Sequence, residues 1–322
     1  MIKTVAEMGK QVDSVPMKTV YINTAANLIQ AGMPVVFLNA DLMLSLGEVV
    51  NWEAYPQHVY NCGIAEANMM GVAAGLSTDG LVPFIHTFAP FASRRMFDQV
   101  FVSGAYSQLN VKIMASDPGI SMQINGGTHC TFEDVALMRS IPGMTILDAT
   151  DNVALKKMMY LAANTYGMFY IRFPRIAVEN IYAEETELRI GQAATLVKGS
   201  DVTILSAGME VREALKAAAL LAQEGISARV IDALTIKPLD EACVLQAAKE
   251  TGAIVVAENH NVIGGLGSAV AQLLAEKHPT PMAFIGSQDQ FGEVGPLEWL
   301  RERYGMTAVD IANCAKGLVN RK

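Results

Sequence analysis

Apolar positions along this chain fall into two alternating rhythms. Continuous apolar runs, Val35 to Asp41, Leu81 to Phe88, Val111 to Ser116, Thr145 to Ala149 and Met168 to Phe173, read as strands buried on both faces. Between them, Ala65 to Leu76, Arg94 to Gln108, Phe132 to Arg139 and Val153 to Asn164 carry helical spacing. Strands of this kind separated by helices predict an α/β fold with a mostly parallel sheet covered on both sides. The rhythm fails from Arg175 to Ser200, which is acidic and irregular around Ala183 to Glu187, and a linker is expected at 181–193. It restarts with strands Val202 to Ala207, Ala228 to Ala233, Ala253 to Glu258 and Met282 to Ile285, separated by helices Val211 to Glu224, Asp240 to Thr251 and Gly267 to Lys277. Two α/β domains are therefore expected, 1–180 and 194–322.

Composition narrows the partners. Of 322 residues, 51% are hydrophobic and only 17% charged, a balance that points to surface buried against another chain. The net charge is -8 and Lys and Arg form no stripe, which argues against nucleic acid and acidic membranes. Met1 to Lys18 lacks the apolar run of a signal peptide, and no stretch is long enough to span a bilayer. Cys62, Cys130, Cys243 and Cys314 lie far apart with no C-x-x-C, which fits reduced thiols in a cytoplasmic protein.

Chemistry-bearing residues gather where strands end, the place at which open α/β sheets bind ligands. Asp41 and Ser45 follow the first strand; Phe88 and Phe91 close the second; Asp117, Asn125 and Gly127-Thr128-His129 follow the third; Arg172 and Arg175 end the fifth. Glu66 opens an apolar helical run, where a buried carboxylate must find a donor or hold a proton, a situation suited to acid–base work. Each also has a structural reading: Glu66 as a surface glutamate, Asp41 as a helix cap, Phe88 and Phe91 as core, His129 as a satisfied histidine, Arg175 as a surface ion pair. Their joint placement favours a site. Gly264 to Gly267 lacks the third small position and ribose-binding acid of a dinucleotide motif. Glu258 and His260 have no third partner for zinc and are expected at an interface, and Cys62 and Cys130 have no base to activate them.

Gly63-Ile64-Ala65-Glu66, Thr87-Phe88-x-x-Phe91, Gly127-Thr128-His129, Glu133-Asp134 and Arg139-x-Ile141-Pro142-Gly143, in this order, resemble transketolase, specifically its pyrimidine-binding domain. Thr235 to Asp240, Glu258-Asn259-His260 and Gly264 to Ser268 are similar to that family's C-terminal domain. The resemblance implies a thiamine-diphosphate-dependent transfer of a two-carbon ketol unit from a ketose to an aldose. It gives Glu66 the N1′ atom of the aminopyrimidine, whose imino tautomer it would favour. Phe88 and Phe91, with Ile64 and Ala65, would line the pyrimidine pocket; Asp41 and His129 would meet substrate hydroxyls and the carbonyl. Ser45 and Arg175 would grip the far phosphate, with Lys18 where the family has a phosphate-binding arginine. Two positions depart from the family: Asp117 stands for a phosphate-contacting histidine and would repel a phosphate, and Asn125 stands for an aspartate that reads the C2 hydroxyl.

The Gly-Asp-Gly motif and asparagines with which the family holds the diphosphate and Mg²⁺ do not occur. The resemblance therefore implies half of an active site. A separate N-terminal transketolase subunit would carry the diphosphate and metal, and the two chains would associate into a heterotetramer. The alternatives are the β subunit of another thiamine enzyme, a 2-oxoacid dehydrogenase or a 1-deoxyxylulose-5-phosphate synthase-like protein, and a non-catalytic assembly subunit.

Overall fold

A computed structural model describes residues 2–4, 15–46 and 54–321; most of the segment read for a leader lies outside them. Among the described residues, twelve strands form two sheets. The larger has seven: β1 (Val35–Asn39), β2 (Val59–Asn61), β3 (Val82–Phe88), β4 (Lys112–Ser116), β5 (Thr145–Asp148), β6 (Phe169–Phe173) and β10 (Thr235–Lys237), in the order β10-β5-β6-β4-β3-β1-β2. The smaller joins β7 (Ala194–Val197), β8 (Val202–Ser206), β9 (Ala228–Asp232), β11 (Ile254–Asn261) and β12 (Met282–Ser287) in the order β12-β11-β8-β9-β7. Pairing is parallel except at two edges, where β10 runs antiparallel to β5 and β7 antiparallel to β9. The α/β architecture follows from side-chain pattern: β1, β3, β4, β6 and β8 are buried at every position, as strands covered on both faces must be.

The expected strands recur within a few residues at each end. Several features differ. The helix Met17–Gln30 begins straight after Pro16, whose fixed φ suits a helix start, and buries Met17, Tyr21, Ile22, Ala25, Leu28 and Ile29. The helix Ala308–Val319 begins with a reciprocal cap between Thr307 and Asp310. Neither helix is expected from the sequence pattern above. The single helix expected over Arg94 to Gln108 is instead two π-helical stretches, Phe91–Arg95 and Val100–Tyr106, around a short α-helical turn at Phe97–Gln99. Ser93 Oγ donates to Ala89 O at 2.8 Å, the back-bonding that loosens helices. Gly104 packs so tightly that a Cβ there would lie 2.6 Å from Met168 Cε. Finally, the helix Glu66–Thr78 is not buried all round: Asn68, Gly71, Val72 and Gly75 form an exposed stripe at i, i+3, i+4 and i+7.

The two sheets share a core. Val36, Ile85, Ile113 and Ile146 of the larger belong to one apolar cluster with Leu205, Ile231 and Val256 of the smaller. Strand β10 carries the second half of the chain into the first sheet. Arg172 of β6 binds the halves chemically. Fully buried, it donates from Nε to Asp134 at 2.8 Å, from Nη1 to Asp148 at 2.5 Å and from Nη2 to the carbonyl of Asn259 on β11 at 2.9 Å. Asn259 in turn holds the loop after β4, donating to Pro118 O at 2.9 Å and accepting from Ile120 N–H at 3.0 Å. Gly119 is required there: its φ is +54° and a Cβ would fall 2.0 Å from Asn259 Oδ1. No helix among the described residues is long and apolar enough to cross a membrane.

Removing the Arg172 guanidinium leaves two buried carboxylates uncompensated. Arg172→Met should lower the unfolding free energy by about 3–5 kcal/mol, read from urea denaturation; a change below about 1 kcal/mol, the worth of an exposed pair, would contradict this role.

Candidate active site

The strand ends of the larger sheet converge on one cleft. A ladder of polar side chains within otherwise apolar strands ties them together. Asn39 Nδ2 on β1 lies 2.9 Å from His86 Nδ1 on β3, and His86 Nε2 lies 3.0 Å from Ser116 Oγ on β4. Burial, followed by the positive charge of Arg175, pushes the His86 imidazole down to about 3. It is therefore a neutral tie, with Nδ1 accepting and Nε2–H donating. Asn39 also accepts from the Leu42 N–H, which sets the turn that carries Asp41. Asp41 is exposed, sits at φ +60° and accepts from Asn61 Nδ2 at 2.9 Å. Asn61 Oδ1 accepts from the Gly63 N–H at 2.9 Å, where φ of +68° turns the chain into the helix of Glu66.

Glu66 occupies the first turn of its helix, where the positive end of the dipole favours an anion. It is only 4% exposed. Its Oε1 accepts from Arg95 Nη1 at 3.0 Å, and the Arg95 guanidinium lies 3.8 Å above the Phe91 ring. The Arg95 side chain is 47% exposed, so the buried carboxylate faces an opening guarded by a cation. Phe88, Phe91 and His129 form an aromatic wall: His129 meets Phe91 edge-on at 5.1 Å and Phe88 at 6.1 Å, and the two phenylalanines are 6.2 Å apart. His129 Nδ1 lies 2.9 Å from Thr128 Oγ1, which leaves Nε2 as the nitrogen available to an incoming group. Ile64 stands 74% exposed before this wall and Ala65 is half-buried beside it.

The opposite end of the cleft is charged. Arg175 donates from its backbone N–H to Asp117 Oδ1 at 2.7 Å, from Nε to Asp117 Oδ2, and from Nη1 to the Ser45 carbonyl at 3.2 Å; its guanidinium caps Phe88 at 4.6 Å. Burial raises the Asp117 carboxyl, while the ion pair with Arg175 and the charge of Lys18 oppose the rise. Asp117 reaches the hollow as one half of an ion pair, with both of its oxygens engaged by Arg175. Ser45 turns its hydroxyl to Leu42 O at 2.6 Å and so contributes its carbonyl here. Lys18, at the helix start, donates its N–H to Arg175 O at 3.3 Å and lines, with Asp117, Ser121, Gln123 and Arg175, a hollow of about 490 Å³. Asn125 is exposed at the rim, its Nδ2 on Met122 Sδ at 3.3 Å.

The remaining motifs are structural. Glu258 caps the helix Leu266–Lys277 through the N–H groups of Leu266 at 2.7 Å and Gly267 at 2.9 Å. His260 accepts from Ala136 N–H at 3.3 Å, between the two halves of the chain. Arg139 binds the carbonyls of Gly264 and Gly265, occupying the glycine run. Burial pushes the Cys130 thiol up to about 12 and raises that of Cys62, so neither is a ready nucleophile. Among the described residues no group of three or more His, Cys, Asp or Glu is arranged to hold a metal ion. Sequence reasoning missed Asn39, Asn61, His86 and Arg95; the first and third were visible as polar breaks in apolar strands.

Residues 13–180 match the transketolase pyrimidine-binding domain and residues 191–311 the transketolase C-terminal domain. The chain belongs to the transketolase family, whose members depend on thiamine diphosphate. It is 45% identical over 306 residues, 95% of each chain, to a 6-deoxy-6-sulfo-D-fructose transketolase subunit of Clostridium sp. (strain MSTE9). It is 34% identical to one of the subunits of an apulose-4-phosphate transketolase from Phocaeicola vulgatus, over 94% of this chain and 96% of that one. Among solved structures it matches a split-gene transketolase, described as an inactive β4 tetramer, with a TM-score of 0.88 and 39% identity, over 96% of this chain and 99% of that one.

The depressed basicity of His86 has a direct readout. Its imidazole NMR signals should not titrate between about pH 8 and pH 5, whereas an unperturbed histidine passes its midpoint near pH 6.5; movement of the His86 resonance in that window would remove the neutral tie.

Proposed function

We propose that this chain is the pyrimidine-binding subunit of a split transketolase and transfers a two-carbon ketol unit from a ketose to an aldose with a second, diphosphate-binding subunit. The observation that carries this is Glu66, a carboxylate sunk at a helix start beside the Phe88, Phe91 and His129 wall, with half-exposed Arg95 as its ion-pair partner. These residues fit the aminopyrimidine of thiamine diphosphate. An acid and flat aromatic faces suit a flat, nitrogen-bearing ring, and the partner subunit would hold the diphosphate and Mg²⁺. When bound, that cofactor supplies the carbanion chemistry of ketol transfer.

The chain's own residues orient and move protons. Glu66 would share a proton with N1′ of the ring, donating to the N1′ lone pair and accepting from N1′–H once the proton has moved, and its low-dielectric setting would strengthen that bond. Arg95 keeps the carboxylate compensated until the ring arrives, and its exposed end lets it swing aside. Phe91 and Phe88 hold the ring plane and exclude water. His129 presents Nε2 to the substrate carbonyl or hydroxyl, steadied from Thr128, and Asp41 at the opening accepts hydrogen bonds from further hydroxyls. The relatives named for a sulfosugar and for a sugar phosphate both place an anion at the far end of the substrate, where Lys18 and Arg175 stand here. The exposed Asn68, Gly71, Val72 and Gly75 stripe suits close packing of copies into a heterotetramer. Four free thiols suit a reducing cytoplasm.

Mixed with its partner, thiamine diphosphate and Mg²⁺, the chain should transfer ketol units, and alone it should not. Glu66→Gln should lower kcat by about 10²-fold or more, the scale of a lost proton-handling group, while size-exclusion chromatography shows the complex intact. Undiminished turnover in that variant would take Glu66 out of the reaction.

A further inference from the structure

We infer that Asp117 sets the charge of the substrate's far end, selecting a ketose that ends in a singly charged sulfonate over one that ends in a phosphate dianion. This rests on the ketol-transfer reading and specifies its substrate class. Among the described residues, the hollow beside the aromatic wall is lined by three charged side chains, Lys18, Asp117 and Arg175, together with the neutral Ser121 and Gln123. Two cations and one anion leave a net charge of +1. His86 beneath adds none, being neutral.

Asp117 cannot easily leave this balance. It is 2% exposed, and its loop is fastened from below by Asn259. Both of its oxygens are engaged by Arg175, through the backbone N–H and through Nε. The Nε edge of the guanidinium, one of the donors needed for a two-pronged grip on a phosphate, is therefore already used, and Nη1 is shared with the Ser45 carbonyl. A sulfonate and a phosphate monoester both present three tetrahedral oxygens, so shape separates them weakly. Charge separates them strongly: a sulfonate carries one negative charge, whereas a phosphate monoester carries about 1.5 to 2 near pH 7. One charge cancels the +1 of the hollow. Two leave an uncompensated anion beside a buried carboxylate, where the local dielectric is far below that of water.

The test uses the complex reconstituted with its thiamine-diphosphate-binding partner and two matched donors, fructose 6-phosphate and its 6-deoxy-6-sulfo counterpart, with one aldose acceptor. The wild-type complex should favour the sulfonate by about 10-fold or more in kcat/KM, and Asp117→Asn should move the ratio toward the phosphate by about 10-fold. Dissociation constants from calorimetry without acceptor should show the same shift. Selective binding without ketol transfer supports the charge selection and overturns the functional reading instead. Equal preference, or a phosphate preference, in the wild-type complex overturns the inference, and that measurement decides the matter even where Asp117→Asn does not fold. So does a ratio that Asp117→Asn leaves unchanged.

Discussion

The placement of Arg172 is the constraint on which the rest of this structure depends. A fully buried guanidinium is tolerable only when its donors are met, and here they are met from three directions: Asp134 at a helix start, Asp148 at the end of β5 and the Asn259 carbonyl on β11. No one of these elements could satisfy it alone. The two halves of the chain must therefore dock in one register, and Asn259, held in that register, anchors the loop that carries Asp117. The smaller sheet thus shapes the cleft without lending a side chain to its aromatic wall.

Within the cleft, each of the two buried carboxylates is balanced by a cation more exposed than itself. Buried Glu66 faces half-exposed Arg95, and buried Asp117 faces Arg175, whose side chain is 23% exposed. In both pairs the anion is fixed and the cation reaches toward solvent. This arrangement compensates two carboxylates inside an apolar wall and still leaves each cation able to respond to a ligand. Neutral ties such as Asn39, His86 and Ser116 supply rigidity between the two ends without adding charge. Under the proposed function, the acid at one end handles the proton and the ion pair at the other meets the charge of the substrate.

The division of labour proposed between two subunits repeats this pattern at a larger scale. The described residues supply an aromatic slot and a buried acid. The exposed stripe of Asn68, Gly71, Val72 and Gly75 lies on the helix that carries Glu66. A surface that packs against another chain through this helix would also fix the direction of the Glu66 carboxylate.

What the sequence determined by itself was the α/β alternation and the gathering of polar residues at strand ends. Both follow from short-range periodicity, because a strand covered on two faces must be apolar throughout and its first departure from that rule marks its end. The ordered motifs from Gly63 to Gly143 carried the family. Only the tertiary structure decided the partners. Arg95 reaches Glu66 across a π-helical segment whose irregular turns no 3.6-residue period describes, and Arg175 reaches Asp117 across neighbouring strands β6 and β4. Strand β10, read as part of the second half, completes the first sheet. A carboxylate's charge is written in the sequence, but whether it repels a ligand or is already held by a guanidinium depends on distances between residues far apart in the chain, and those exist only once the sheets have docked.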